Sequence, residues 1–187
     1  VRYFLELTLT SLFASLSEAK KNIPGFEVDV WVVDNNSTDT SGEMLKNNFP
    51  EVKTIFNKDN VGFSVANNQA IHKSDGKYVL LLNPDTVLGE STISDVIQFM
   101  ESHPHAGGLG LKMLDGSGKF LPESKRGFPS PKVAFFKLSG LSKFLPKSKI
   151  FGTYHLGYMS ENEVQKVDVL SGAFMLLRRQ TLLQTGL

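Results

Sequence analysis

Three apolar runs in this chain each stop at a polar cluster. Residues 28–33 lead into Asp34-Asn35-Asn36, residues 52–56 into Asn57, and residues 78–82 into Asn83-Pro84-Asp85. The chain has no cysteine and these clusters hold no histidine, so their donors are carboxylate and amide oxygens. Such donors suit a hard cation such as Mg²⁺ or Mn²⁺. An ion of this kind usually sits between one or two carboxylates and the phosphates of a substrate, which makes a bridged diphosphate the natural ligand. Asp85 would hold the ion, a Lewis acid against a leaving diphosphate, while Asp34 accepts hydrogen bonds from a base or ribose. A single Asp after a strand is more often a turn former or helix cap; three coincident strand ends weigh against that reading.

The elements that must position these groups alternate. Leu5, Leu9, Leu12 and Leu16 share one face of an opening helix. The β-branched run at 28–33 predicts a strand covered on both faces. Thr40 and Glu43 have capping-box spacing, with Thr40 accepting from the Glu43 N–H, for a helix reaching about Asn48. A second strand is expected at 52–56. Asn60 then caps a helix that ends at Ser74-Asp75-Gly76. A third strand at 77–82 is followed by a helix through Ile93, Val96, Ile97 and Met100, stopped by Pro104. Further strands are expected at 107–113 and 167–177. This order predicts an α/β domain, three layers with a mostly parallel central sheet. In such a sheet the carboxyl ends of the strands open on one edge, where ligands bind.

At 187 residues the chain fits one domain able to bury roughly 70% of its unfolded surface. Residues 1–187 are therefore read as a single domain. A charged fraction of 21% and a net charge of +1 lack the basicity of a nucleic-acid binder, so no nucleic-acid partner is expected. The absence of cysteine fits a reducing compartment. No apolar run of about 18 residues and no signal-peptide pattern occur, so the expected location is cytoplasmic. Residues 119–149 carry eight Lys or Arg against Glu123 alone, interleaved with Phe and Pro. They predict a basic, Phe-rich insert reaching about residue 165, a surface-docking loop rather than sheet. Its chemistry suits peripheral contact with anionic lipid at the inner face of the plasma membrane; the alternative is a solvated loop covering the core edge. The four histidines are scattered without metal-ligand spacing. Gly107, Gly108 and Gly110 precede a strand rather than a helix, which speaks against a phosphate loop.

Taken in order, Val-Val-Asp-Asn-Asn-Ser-Thr-Asp at 32–39, Asn60-Val61-Gly62-Phe63 with Asn67, Leu-Leu-Asn-Pro-Asp-Thr at 81–86 and Ser-Gly-Ala-Phe-Met-Leu at 171–176 resemble the family 2 glycosyltransferases. The likeness is to rhamnosyltransferase-like bacterial enzymes of surface polysaccharide assembly. It implies a GT-A fold, a nucleotide-diphosphate sugar donor, a glycan or lipid-linked acceptor, a divalent metal and inversion at the anomeric carbon. By motif position Asp34 would contact the nucleoside, with Asn36, Ser37 and Asp39 nearby. Asn60, Gly62 and Asn67 would line the nucleotide pocket, and Asp85 would carry the metal. Gly172 would leave room for a ligand, although close strand packing accounts for its small size equally well.

The resemblance also marks departures. Asn83 stands where many relatives of the wider fold place the first acid of an Asp-x-Asp motif, which implies weaker metal affinity or a different metal. Relatives carry a strand before the segment that opens this chain, and beyond a stretch like 178–187 an acid that serves as general base. Neither falls within the sequence, so no catalytic residue is nominated. Truncation at both ends is expected, with little or no transferase activity in the segment beside a full-length protein. Two other readings stay open. One is a non-catalytic nucleotide-binding or scaffold domain, favoured by Asn83. The other is a sugar-phosphate nucleotidyltransferase, whose Gly-rich, Arg-containing phosphate loop the sequence does not show.

Overall fold

A computed structural model describes residues 1–128, 130–138, 148, 150 and 156–186. The chain forms two compact units, one of Val1–Leu109 with Leu176–Leu187 and one of Gly110–Met175.

In the first unit, α1 (Arg2–Asn22) contains neither Gly nor Pro and buries Leu5, Leu9, Leu12, Leu16 and Ala19 along the expected stripe. Pro24 follows, which favours extended backbone at Ile23 and ends the helix there. Strand β1 (Trp31–Asp34) pairs in parallel with β2 (Lys53–Phe56), from Trp31 opposite Lys53 to Asp34 opposite Phe56. Between them runs α2 (Ser41–Asn48). Next come α3 (Phe63–Lys73), which packs on β1, then β3 (Tyr78–Leu82) and α4 (Thr92–Ser102), which packs on α1. The α1 stripe shares one core with Met44, Leu45, Val52 and Ile93, against which Val30, Val32, Leu80 and Leu82 pack. Residues of β1 and β3, two of the three strands whose tips carry the polar clusters, thus pack on the core that α1 joins.

Strand β4 (Gly108–Leu109) is shorter than the 107–113 expected, because Gly107, Gly108 and Gly110 gain little from a pleated surface. It pairs antiparallel with Leu176 and Leu177 of β7 (Phe174–Arg178), and β7 lies between β3 and β4. The run at 167–177 is two strands rather than one, β6 (Val169–Leu170) and β7, interrupted at Ser171-Gly172-Ala173. The layered α/β class holds, with parallel pairing in β1–β2. A last helix, α6 (Arg179–Thr185), closes the first unit.

The second unit corrects the reading of residues 119–149. Lys125 and Arg126 form a strand, β5, paired antiparallel with β6. Lys125 is buried: its Nζ donates to the Met159 carbonyl at 2.6 Å and lies 5.4 Å from the Phe120 ring centroid. Part of the basic series is thus internal, its charge answered by a carbonyl and a π face. A short helix, α5 (Pro131–Leu138), follows. Residues 139–147, 149 and 151–155, on which much of the lipid-contact expectation rests, lie outside the described residues.

Candidate nucleotide-binding site

At the tip of β1 the half-buried Asp34 accepts the Ser37 N–H at 2.9 Å, closing a turn through Asn36 at φ 63°. Asn tolerates that left-handed conformation better than most residues. The next side chain joins an amide clasp. Asn57 Nδ2 donates to Asn35 Oδ1 and to Gln69 Oε1, both at 2.9 Å, and Asn57 Oδ1 accepts Gln69 Nε2 at 3.0 Å. Asn35 Nδ2 in turn donates to Asn60 Oδ1 at 3.3 Å, and that oxygen also accepts the Gly62 N–H at 3.0 Å. The tips of β1 and β2, the loop before α3 and α3 itself are therefore tied together. Asn57 is committed to this clasp rather than aimed at a ligand. Gly62, at φ 83°, caps α3 where a side chain would be strained. Asn67 donates back to the Phe63 carbonyl of its own helix at 2.8 Å.

Beside the β1 tip a cavity of about 480 Å³ is lined by Asp34, Ser37, Asp39, Glu43, Lys46 and Phe56. That volume falls within the range of small-molecule sites. Phe56 is 48% exposed and Lys46 Nζ sits 5.8 Å from its ring centroid. Gly42 permits this, since a Cβ there would stand 3.2 Å from the Phe56 ring. Another cavity, about 270 Å³, lies at the start of β1 among Phe13, Leu16, Val28 and Val30. Its rim mixes Lys20 with Asp29 and Glu51, and Asp29 is already paired with Lys53 at 2.7 Å, so it gathers no charge of one sign for an anion.

Helix α2 is capped differently from expectation. Thr40 makes no cap bond; its Oγ1 accepts Arg2 Nη1 at 3.0 Å. Asp39 substitutes, accepting the Ser41 hydroxyl, the Ser41 N–H at 3.1 Å and the Arg2 N–H at 3.0 Å. The Ser41 hydroxyl first, and then the Arg2 N–H, hold the Asp39 carboxyl well below the usual carboxylate range. A folded-state value below the unfolded value of about 3.9 means the contribution is complete above that pH and lost as pH falls below it. Asp39→Asn is expected to flatten the stability profile below about pH 4, measured by urea unfolding across pH; a slope equal to that of the wild type would remove Asp39 as its source.

Asp85 is exposed, and its carboxylate accepts no hydrogen bond among the described residues. It sits in a turn in which the Thr86 N–H reaches the Asn83 carbonyl at 3.3 Å, with Asn83 half-buried. The chain that follows this turn is anchored on α1. The Ile93 N–H donates to Ser15 Oγ at 3.0 Å and the Leu88 N–H to Ser11 Oγ at 3.1 Å. From Ile93 to Leu88 the chain thus climbs α1 by about 6 Å toward the helix start, where Arg2 touches Asp39 and Thr40.

Among the described residues no three His, Cys, Asp or Glu cluster as a metal site. One free carboxylate beside amide oxygens fits a hard ion that completes its shell with phosphate oxygens, not an ion caged by protein alone. Gly172 belongs to the second unit. The groups missed by sequence reading, Gln69, Arg2, Lys46 and Phe56, act through pairings distant in sequence that carry no local signature.

Comparison with known proteins follows the same direction. A poly(ribitol-phosphate) beta-N-acetylglucosaminyltransferase, TarS, of Staphylococcus aureus is 26% identical over 91% of this chain and 29% of its own length. An N-acetylglucosaminyl-diphospho-decaprenol L-rhamnosyltransferase of Mycobacterium tuberculosis is 28% identical over 95% of this chain and 59% of its own. The chain therefore spans less than two thirds of the length of either relative. A solved mannosyltransferase of Pyrobaculum calidifontis, in complex with GDP-Man and Mn²⁺, superposes with a TM-score of 0.63 at 14% identity, over 100% of this chain and 44% of that one, and shares the GT-A fold. The model of the Glycosyl transferase family 2 matches residues 3–182, and with nearly its whole length so matched the chain belongs to that family.

Proposed function

We propose that this chain is the nucleotide-sugar-binding part of an enzyme that transfers a sugar from a nucleoside-diphosphate donor to a surface-glycan or lipid-linked acceptor, with inversion. The observation that carries the reading is a polar cavity at the β1 tip lined by Asp34, Ser37 and Asp39; the exposed Asp85 just beyond β3 is read with it. Support comes from relatives whose names specify N-acetylglucosaminyl and rhamnosyl transfer, one of them to a decaprenol-linked acceptor. The mannosyltransferase of the same fold was solved with GDP-Man and Mn²⁺.

In this reading Asp34, fixed by the Ser37 N–H, accepts from the base or ribose, and the 36–39 turn, Asn60 and Gly62 border the nucleotide. The clasp of Asn35, Asn57 and Gln69 keeps the two strand tips from parting as the donor enters. Asp85 would hold a divalent ion, Mg²⁺ or Mn²⁺, which would supply charge neutralisation for a departing diphosphate. Asn83 supplies an amide oxygen in place of a second carboxylate. Within the second unit, Gly172 would leave room for a ligand. The enzyme works in the cytoplasm at the inner membrane face, where the basic stretch meets lipid. No helix among the described residues is long and apolar enough to cross a membrane.

The test is consumption of donor by the full-length protein. It is incubated with Mn²⁺, a polyprenyl-diphosphate-linked glycan and a panel of uridine, guanosine and thymidine diphospho-sugars, and release of nucleoside diphosphate is followed. One donor turned over in an acceptor-dependent way is the expected result. Tight nucleotide binding without turnover of any donor would favour the scaffold reading, to which Asn83 in place of an acid gives its support.

A further inference from the structure

The connection from Asn83 to α4 carries the proposed metal ligand, yet Asp85 itself makes no bond to any described residue. What holds the connection lies behind it. Ser11 and Ser15 are four residues apart on α1 and so share one face. Ser11 Oγ donates to the Thr8 carbonyl of its own helix at 3.0 Å and accepts the Leu88 N–H at 3.1 Å. Ser15, 0% exposed, accepts the Ile93 N–H at 3.0 Å. Two further contacts fix the same segment: Leu88 packs against the α1 core, and Ile93 is part of it. The first residue of the same helix holds residues 39 and 40, through its own N–H to Asp39 and its guanidinium to Thr40.

We propose that Ser11 and Ser15 are positioning residues for the Asp85 loop, making α1 the rigid frame that sets the spacing between a metal-bearing turn and a nucleotide-bearing turn. This rests on the functional reading above and adds to it how an isolated carboxylate is kept in register with a diphosphate. The physical reason is the weakness of a single ligand. An ion bound by one carboxylate and substrate oxygens needs that carboxylate at a fixed distance from the phosphates, since no second carboxylate corrects its position. Main-chain N–H groups tied to a helix supply that fixity, because a helix interior moves as a unit. Neither serine touches nucleotide or ion. Each acts through the backbone, so its removal should affect the metal step and spare the nucleotide contacts of residues 34–39.

The experiment uses this chain and three variants, Ser11→Ala, Ser11→Thr and Ser15→Ala, each held well below its own melting temperature. Mn²⁺ uptake in the presence of UDP, and of the other nucleoside diphosphates if UDP does not bind, is read from loss of the free-ion EPR signal. Nucleotide affinity is measured separately in EDTA. Ser11→Ala and Ser15→Ala are expected to weaken Mn²⁺ uptake by about three- to tenfold, the worth of one hydrogen bond. Ser11→Thr, which keeps the hydroxyl, should restore it, and metal-free nucleotide affinity should hold in all variants. Unchanged Mn²⁺ uptake in both alanine variants would overturn the proposal alone. So would an equal fall in metal-free nucleotide affinity, the mark of general loosening. Failure of the wild type to take up Mn²⁺ with any nucleoside diphosphate would overturn the Asp85 reading, and this inference with it.

Discussion

Asp85→Ala is expected to abolish the stabilisation that Mn²⁺ and a nucleoside diphosphate give together, while leaving the ligand-free protein as stable as the wild type. The second half follows from the structure: the side chain is exposed and no described residue bonds to it, and such surface changes stay within about 0.5 kcal/mol. The first half follows from linkage. A ligand present at about 100 times its dissociation constant raises the unfolding free energy by about 2.7 kcal/mol, provided it binds only the folded state. Without the carboxylate, the ion retains only amide and phosphate oxygens, and the gain should fall to that of the nucleotide alone. Thermal unfolding with Mn²⁺, with EDTA, and with each nucleoside diphosphate measures both halves. A variant that keeps the full metal-dependent shift would place the ion elsewhere.

Arg178→Ala should cost about 2–3 kcal/mol, with no change in nucleotide binding. The Arg178 guanidinium, at the end of β7, donates through Nε to the Ala106 carbonyl at 3.0 Å and through Nη2 to those of Met100 and His103 at 2.9 and 3.2 Å. Its Nη1 donates to the Tyr78 hydroxyl at 3.1 Å. Two of those carbonyls belong to the end of α4, where a cation also complements the helix dipole. Tyr78 is itself held by Glu101, whose other partner is Lys77 at 2.6 Å. One side chain therefore closes the end of α4 onto the starts of β3 and β4. Its loss takes the donor from the part-buried bonds to the Ala106 and Met100 carbonyls, and a lysine cannot restore the fork. Urea unfolding of Arg178→Ala and Arg178→Lys reads the effect. A loss under about 0.5 kcal/mol in the alanine variant would mean that water replaces those bonds without cost.

What was legible in the sequence was periodic or local. The α1 stripe is visible because burial repeats with the helical turn, and the tips of β1, β2 and β3 because an apolar run stops at Asn or Asp. Less legible was anything settled by competition. Thr40 has the right spacing to cap α2, but Arg2, 38 positions away, takes its hydroxyl, and Asp39 caps instead. Lys125 looks like one more surface cation until Phe120 and the Met159 carbonyl enclose it. The glycines at 107–110 shorten a strand that hydrophobicity alone would extend. Of the proposed site, Asp34, Ser37 and Asp39 line one cavity. The Asn57–Gln69 exchange and the Ser11 and Ser15 anchors join residues 12 to 78 positions apart, and nothing in a single sequence ties such pairs to one another.

The central claim is that residues 34–39, 57–62 and 83–86 surround one ion and one diphosphate. Paramagnetic broadening reports this directly, because a small fraction of bound Mn²⁺ weakens the NMR signals of the amides nearest to it. With the nucleoside diphosphate that binds, the amides of all three segments should broaden together. Those of Lys20 and Lys21, at the far end of a helix about 30 Å long, should stay sharp. Broadening confined to 83–86, or absent from 34–39, would contradict the account.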